Sequence, residues 1–246
     1  MHSATGIYHV LLRGINRQNI FEDDQDRNLF LEILSDVKDT TGLVVHCYCL
    51  MSNHVHLLVE AVGEPLGATM KRIAVRYVVK FNAKYERVGH LFQDRFSSRP
   101  VEEERYVLAV VRYICQNPTK AGLCAHPGEY RWSSCQEYLG LRRGLTDSSV
   151  VLELFSRAPS GPREAFAQFL EEVTQDRFLD AGNVRKTDSQ LREFMQTLCG
   201  FSSASGFQTL DAPTRNACLR QLKDEGFSQR QIARVTGVPF EVIRRN

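Results

Sequence analysis

The stretch from residue 43 to residue 60 constrains the fold of this chain most. Two β-rich runs, residues 43–51 and 54–60, are separated only by Ser52-Asn53, a pair with the composition of a tight turn. A connection this short joins antiparallel neighbours, because parallel strands need a crossover of a dozen or more residues. The sequence therefore predicts a β-hairpin and, with it, an antiparallel sheet.

Hydrophobic periodicity places further elements around this hairpin. Asn117-Pro118 should end the last helix, because proline disfavours helical geometry in the residue before it. Helices that alternate with paired strands favour an α+β fold, with helices over an antiparallel sheet. The predicted elements are strands at 7–12, 90–92 and 99–101, and helices at 25–38, 68–85 and 103–116.

The rest of the chain reads as helical. At 246 residues the chain exceeds one average domain. Residues 147–181 predict helices interrupted by a Pro/Gly loop at 158–162, and residues 181–188 are polar. We therefore expect three parts: an α+β domain at 1–145, a helical extension and linker at 146–185, and an all-α module at 186–246.

Composition excludes some classes of protein. No stretch approaches the roughly 18 apolar residues of a membrane span, and the N-terminus lacks a signal-peptide pattern. The seven cysteines are odd in number and form no CxxC pair, which is typical of reduced thiols. We expect a cytoplasmic or nucleoid-associated protein with no membrane partner.

His54-Val55-His56 is the motif with the most chemical content. Side chains two apart in a strand point to the same face, so the two imidazoles should project together. Neutral imidazoles are common ligands of divalent metals. By itself such a pair is a weak signal, since two histidines also share a surface by chance.

Tyr113 and Asn117 form a second pair. Their spacing of four residues places both on one face of a helix, about one turn apart. A tyrosine can act as a covalent nucleophile, and an amide oxygen can bind a hard cation. The alternative is a core tyrosine followed by an asparagine that only ends the helix.

Residues 71–99 carry a local excess of positive charge. The stretch contains eight basic residues and only two acidic ones, Glu86 and Asp94, and five aromatic residues are interleaved with the basic residues. Basic side chains bind phosphates and aromatic faces stack on unpaired bases, although these aromatics also fit a core. The basic residues are Lys71, Arg72, Arg76, Lys80, Lys84, Arg87, Arg95 and Arg99.

Five ordered blocks between residue 7 and about residue 140 resemble the HUH-type single-tyrosine transposases, and most closely the REP-associated tyrosine transposases. The resemblance implies a ferredoxin-like antiparallel sheet with the histidines on a central strand and a catalytic tyrosine on a helix beside it. The blocks are YHVLLRGINRQNIF, CYCLMSNHVHLLVE, GHLFQDRFSSRPVE, RYICQNPTKAGL and YRWSSCQEYLG.

The resemblance also implies a role for each matching residue. His54 and His56 would bind Mg²⁺ or Mn²⁺, Asn117 would be the third ligand, and Tyr113 the nucleophile. Gln116 is an alternative third ligand, although it is rotated about 100° from Asn117 on a helix. The competing tyrosines, which lack a following Asn-Pro pair at this spacing, are Tyr77, Tyr85 and Tyr106.

The activity that the resemblance implies is metal-dependent cleavage and transfer of single-stranded DNA near a hairpin, through a 5′-phosphotyrosine on Tyr113. The protein would act as a monomer or homodimer. A DNA-binding regulator derived from a transposase and a metal-dependent hydrolase that uses only the histidines stay open as alternatives. The residues expected to contact this DNA are Arg13, Arg72, Arg76, Lys80, Arg87, Arg95, Arg99 and Lys120.

Residues 227–246 predict a helix-turn-helix. Ala233, Gly237 and Ile243 have its spacing of a small residue, a turn glycine and a buried aliphatic residue. Arg244 and Arg245 would then lie near duplex DNA. A generic helical hairpin is the alternative. Only about two turns of the second helix are present, so the motif is either truncated or binds DNA weakly, positioning the protein on it without specifying a sequence.

Overall fold

The computed structural model describes residues 3–172 and 188–245. The chain divides into two compact units, Met1–Asp180 and Ala181–Asn246. The linker predicted at 181–188 and the end of the helical stretch before it fall largely outside the described residues. The described part of the predicted extension, up to residue 172, packs on the first unit.

The first unit contains the predicted sheet and its helices. Short 3₁₀ turns at Ile15–Arg17 and Pro127–Glu129 join some of them. In chain order its described strands and helices are β1 (Ile7–Arg13), α1 (Asp24–Thr41), β2 (Val44–Met51), β3 (His54–Glu60), α2 (Leu66–Lys84), β4 (Ser97–Pro100), α3 (Glu104–Lys120), α4 (Cys135–Tyr138), α5 (Ser149–Glu153) and α6 (Pro162–Glu171).

The sheet has the order β2-β3-β1-β4, and every neighbouring pair is antiparallel. Two β-α-β repeats in chain order, β1-α1-β2 and β3-α2-β4, produce this arrangement, in which the strands β1 and β3 lie at the centre. The predicted α+β fold with a ferredoxin-like sheet is therefore confirmed. The predicted hairpin is confirmed as well, since β2 and β3 pair along their whole length.

Helices cover both faces of the sheet, so each strand face packs into its own core. On β3, Val55, Leu57 and Val59 pack with α1 and α2, together with Phe30, Tyr77 and Phe81. Leu58 points the other way and packs with α3, α4 and α6. The near-complete burial of both central strands follows from these two layers.

A buried carboxylate ties the start of α1 to the end of α2. Asp23 and Asp26 form a capping box at the N-terminus of α1. The Asp26 carboxylate is 1% exposed, yet it accepts hydrogen bonds from Lys84 Nζ at 2.8 Å and Tyr85 Oη at 2.8 Å. Hydrogen bonds to Asp23 and Asp26 raise the pKa of Lys84 above its usual value.

Two local predictions are wrong. Residues 90–92 do not form a strand, because only Phe92 pairs, through an isolated bridge to Gly14. Helix α3 does not end at Asn117-Pro118 but runs through Pro118 to Lys120. Proline this close to a helix end removes one backbone hydrogen bond, and the turn continues because Ala121 N donates to Asn117 O at 3.0 Å.

The second unit is all-α in its described residues, as predicted. Its core includes Leu191, Phe207, Leu219, Ile232 and Ile243. None of the helices described in either unit is long and apolar enough to cross a membrane. The helices of this unit are α7 (Asp188–Cys199), α8 (Ala204–Gln208), α9 (Ala212–Asp224), α10 (Gln229–Thr236) and α11 (Phe240–Arg245).

Removing the Asp26 carboxylate should destabilise the first unit. Asp26→Ala removes the buried acceptor of the Tyr85 hydroxyl and leaves Lys84 with Asp23 as its remaining carboxylate partner, at a cost of about 2–4 kcal/mol in the free energy of unfolding. Asp24→Ala is the matched control, because its carboxylate is 59% exposed and its ion pairs are at the surface. Urea denaturation of both variants measures the difference, and an equal loss in the two would contradict it.

Candidate active site

His54 and His56 lie on the face of β3 that is turned towards α3. Their ring centroids are 5.0 Å apart and nearly perpendicular, at 89°. His56 is completely buried, and His54 is half-buried at the end of the strand. Because β3 is central, both histidines are held by strands on either side: His54 is paired with Arg13 and Met51, which share its face.

Helix α3 presents Tyr113, Asn117 and Lys120 on one stripe, at positions i, i+4 and i+7. The Tyr113 ring lies edge-on to His56, with centroids 5.4 Å apart. Lys120 Nζ lies 5.3 Å from the centre of the same ring. Tyr113 and Asn117 are each 7% exposed. The fold thus brings the predicted nucleophile against the predicted metal-binding histidines.

Apolar packing of α3 on the sheet sets this approach. Val107, Val110 and Ile114 are buried in the same core as Cys49 and Leu58. The face of α3 that packs on the sheet therefore carries both the aliphatic residues that anchor the helix and the stripe of Tyr113, Asn117 and Lys120. The site lies at the boundary between them.

Asn53 fixes the orientation of His54. The Asn53 amide nitrogen donates to the Arg17 carbonyl at 3.1 Å, which turns its oxygen towards His54. An amide oxygen only accepts, so His54 Nδ1 carries the proton and donates to it at 2.6 Å. Nε2 of His54 is consequently the nitrogen with the lone pair, the form in which imidazole binds a metal.

His9 is a site residue that sequence reasoning missed. It lies on β1, is completely buried, and its Nε2 is 3.0 Å from His56 Nδ1. Its ring also lies 6.0 Å from the Tyr113 ring. A histidine at an inward position of an apolar strand was the available signal, but only the register of β1 against β3 shows which side chain it meets.

Sequence comparison identifies the family of this unit. Residues 3–117 match the sequence profile of a family described as IS200-like transposases. Residues 3–117 are an IS200-like transposase domain. The match includes β1, the hairpin with both histidines, and α3 as far as Asn117. No curated protein sequence matches this chain significantly.

Two solved structures are similar to part of this chain. One is a REP-associated tyrosine transposase bound to a REP hairpin, with 16% identity and a TM-score of 0.49 over 60% of this chain and 87% of that one. The other is a protein from Deinococcus radiodurans described as a transposase, with 16% identity and a TM-score of 0.34 over 50% of this chain and 98% of that one. Neither likeness bears on the activity of this chain.

Gln116, the alternative third ligand, is engaged elsewhere in the transposase domain. Its amide nitrogen donates to the carbonyls of Leu170 at 2.6 Å and Glu172 at 3.0 Å, at the end of α6. Asn117 lies instead on the stripe of Tyr113. Gln116 thus fastens the helical extension to α3, and the geometry favours Asn117 beside the histidines.

The competing tyrosines lie apart from the histidines. Tyr77 is buried on the opposite side of the sheet, where its hydroxyl donates to the Ile20 carbonyl. Tyr85 is on the same opposite side, bonded to Asp26. Tyr106 is on α3, two turns before Tyr113, and lines a cavity with Pro100. Of these four tyrosines, Tyr113 lies edge-on to His56.

The fold divides the predicted DNA-binding residues into two groups. Arg13 on β1, Arg99 on β4 and Lys120 on α3 belong to the tyrosine side of the sheet, since Arg13 pairs with His54 and Arg99 with His9 in register. The predicted DNA-binding residues on α2 and after it lie on the opposite side of the sheet from Tyr113 or beyond the edge of the sheet. This second group is Arg72, Arg76, Lys80, Arg87 and Arg95.

Acidic residues from other elements offset part of the α2 charge. Arg72 pairs with Glu64 at 3.0 Å, and Arg76 with Asp36 of α1 at 2.7 Å. Arg87 donates to the Gln18 side chain at 3.0 Å. Lys80 and Arg95 are exposed, and Arg95 borders a cavity of about 1030 Å³ between α2 and residues 90–98. The excess of positive charge counted along residues 71–99 is therefore partly neutralised in the folded protein.

The donor set fits a hard divalent cation only if an amide takes part. Among residues 3–172 and 188–245, no group of three or more His, Cys, Asp or Glu side chains is placed to hold a metal. Two imidazoles whose rings converge, with Asn117 on the adjoining stripe of α3, supply two nitrogens and one amide oxygen. The residues present therefore fit Mg²⁺ or Mn²⁺ weakly held, with room for water and phosphate oxygens.

Loss of His9 should weaken metal binding without removing a ligand. His9→Ala breaks the bond to His56 Nδ1 that orients the ring, and such second-shell losses lower metal affinity about 10- to 100-fold. His46→Ala is the control, because His46 is also a buried strand histidine but bonds Glu60 at 3.3 Å. Calorimetric titration with Mn²⁺ compares them, and unchanged affinity in His9→Ala would refute the role of this bond.

Proposed function

We propose that this transposase domain cleaves and rejoins single-stranded DNA by transesterification at Tyr113. The observation that best supports this is the edge-on contact of the Tyr113 ring with His56, at 5.4 Å, with Asn117 and Lys120 on the same helical stripe. A nucleophile, two imidazoles, an amide and a cation then border one scissile phosphate.

The reaction exchanges one phosphate ester for another. Tyr113 Oη forms a bond to phosphorus while the bond from phosphorus to the 3′-oxygen breaks. The phenolic proton is transferred, in net terms, to the departing oxygen, which leaves as a 3′-hydroxyl. The 5′-phosphotyrosine keeps the ester energy, so attack by another 3′-hydroxyl rejoins DNA without a nucleotide cofactor.

His54, His56 and Asn117 would hold Mg²⁺ or Mn²⁺. When bound, the ion supplies Lewis-acid polarisation of the scissile phosphate. His54 presents Nε2 because its Nδ1 proton is committed to Asn53. The His9 contact at Nδ1 likewise leaves Nε2 as the binding nitrogen of His56. Both ligands are thus oriented by the chain before any ion arrives.

Basic side chains around the site account for phosphate binding. Lys120 lies beside the Tyr113 ring and favours a phosphate there and the negative charge that develops on it. Arg13 on β1 is paired with His54, and Arg99 on β4 is paired with His9; both suit the adjacent phosphates of the same DNA strand. The α2 residues lie across the sheet and would contact DNA only beyond the scissile step.

Single-stranded DNA fits this site better than a duplex. Tyr113 is only 7% exposed, so the scissile phosphate has to descend between α3 and the strands. A flexible single strand adapts to that approach, whereas a duplex would have to be distorted. A hairpin beside the cleavage position is the substrate implied by the sequence resemblance described above.

Tyr113→Phe should abolish a covalent protein–DNA adduct. Incubation with Mn²⁺ and a hairpin oligonucleotide labelled at its 3′ end should yield labelled protein that survives denaturation, because the 5′-phosphate stays on tyrosine. An oligonucleotide labelled at its 5′ end should instead release a labelled fragment ending in a 3′-hydroxyl. Phenylalanine removes only the attacking oxygen.

Tyr106→Phe is the matched control, since it removes a tyrosine hydroxyl from the same helix and should leave the adduct intact. An adduct that persists in Tyr113→Phe would contradict the assignment. Metal-dependent cleavage without any adduct would favour a hydrolase that uses the histidines alone. Binding without cleavage in the unaltered protein would favour a DNA-binding regulator.

Asn117→Ala should lower Mn²⁺ affinity by at least about tenfold, since it removes a ligand that acts directly on the ion. Asn82→Ala is the control, because its amide on α2 donates to the Gly89 carbonyl on the other side of the sheet. Titration in the Tyr113→Phe background separates metal binding from chemistry. Equal affinities of the two variants would leave the histidines as the whole site.

A further inference from the structure

We propose that the second unit, Ala181–Asn246, is a separate binding site for duplex DNA, with helix α11 in the major groove. This inference goes beyond the proposed cleavage of single strands and does not depend on it. It rests on the charge, the backbone and the exposed side chains of this unit.

Positive charge is concentrated in this unit. Residues 181–246 contain ten Lys and Arg residues against six Asp and Glu residues, a net charge of +4. Residues 1–180 contain 21 against 23, a net charge of −2. The small net charge of the whole chain therefore hides a basic module, and basic modules gain most of their DNA affinity from phosphates.

Helices α10 and α11 are joined by a tight turn. Ser228 caps α10 by accepting from Gln231 N at 3.2 Å. Gly237 ends α10 with a φ of 70°, in the left-handed region that glycine adopts without strain. Val238 N then donates to Thr236 Oγ1 at 3.3 Å, and α11 begins after Pro239. A three-residue turn that begins with glycine fits the connection of a helix-turn-helix.

The side chains that a helix-turn-helix buries are buried here. Ile232 and Val235 of α10, Val238 of the turn and Ile243 of α11 join one core. Lys223 of α9 donates to the Ile243 carbonyl at 3.0 Å, and this hydrogen bond connects α11 to α9. A generic helical hairpin would not require the turn residue and the aliphatic residue of the second helix to be buried in one core.

The outward face of α11 carries groups that recognise base edges. Phe240 is 40% exposed, and the side chains of Glu241 and Arg244 are each 62% exposed and form an ion pair with one another at 2.9 Å, one turn apart. Arginine pairs with guanine, glutamate accepts from the cytosine amino group, and an aromatic ring contacts the thymine methyl. A glutamate at this position would repel phosphates, so the face suits bases in a groove rather than the backbone alone.

Basic residues outside α11 suit the phosphates on either side of the groove. Arg220 on α9 and Arg230 in the first turn of α10 are exposed. Arg234 is held by Asp188 at 2.6 Å, which raises the pKa of the arginine and lowers that of the aspartate. That pair braces α10 against α7. The side chain of Arg245 lies outside the described part of the structure.

The test uses the full chain with Tyr113→Phe, so that no cleavage competes with binding. A pool of duplex oligonucleotides with a randomised centre is selected on this protein, and the enriched duplex is titrated by fluorescence anisotropy. Arg244→Ala should weaken its binding about 5- to 150-fold, the range for loss of one bidentate base contact. Arg157→Ala, which removes an exposed arginine of the first unit, should change it less than about twofold.

Arg244→Lys tests base reading, because lysine keeps the charge but loses the two-pronged geometry of arginine. It should lower the preference for the enriched duplex over a scrambled one. Failure of the pool to enrich any sequence, or equal weakening of duplex and single-stranded binding by Arg244→Ala, would overturn the proposal. Circular dichroism of each variant confirms that α11 remains folded. None of these outcomes depends on whether Tyr113 forms an adduct.

Discussion

Strand β3 is buried on both faces, and its side chains must therefore satisfy two different layers at once. One face supplies Val55, Leu57 and Val59 to the core beneath α1 and α2. The other supplies His54 and His56 to the space beneath α3. A register slip by one residue would exchange these sets and bury two imidazoles among aliphatic side chains. The aliphatic face thus fixes where the histidines point.

Helix α3 depends on that strand in turn. Its aliphatic residues pack on Cys49 and Leu58, and this packing brings Tyr113 against His56. The continuation of the helix through Pro118 adds Lys120 to the same stripe. Around this pair the chain supplies two orienting contacts, from Asn53 and His9. The site is preorganised by packing and by hydrogen bonds from the hairpin turn and from β1.

The distribution of charge in the folded protein differs from the distribution counted along the sequence. The basic run on α2 is offset in part by two ion pairs: Arg76 with Asp36 of α1, 40 residues away, and Arg72 with Glu64, which lies just before α2. Arg13 and Arg99 reach the tyrosine side from separate strands instead. The second unit keeps a positive excess of its own. Two chemically different contacts with DNA, one to a single strand and one to a duplex, are consistent with this division.

The sequence alone determined the hairpin and the common face of His54 and His56, because strand alternation and turn composition are local properties; the ferredoxin-like sheet was implied by the family resemblance of the five blocks. The sequence also placed Tyr113 and Asn117 on one helical face. It did not determine that α3 runs through Pro118 or that residues 90–92 form only the bridge of Phe92 to Gly14, since both depend on backbone hydrogen bonds made in the folded chain. Only the tertiary structure decided that His9 meets His56, because strand register and packing join residues 47 positions apart.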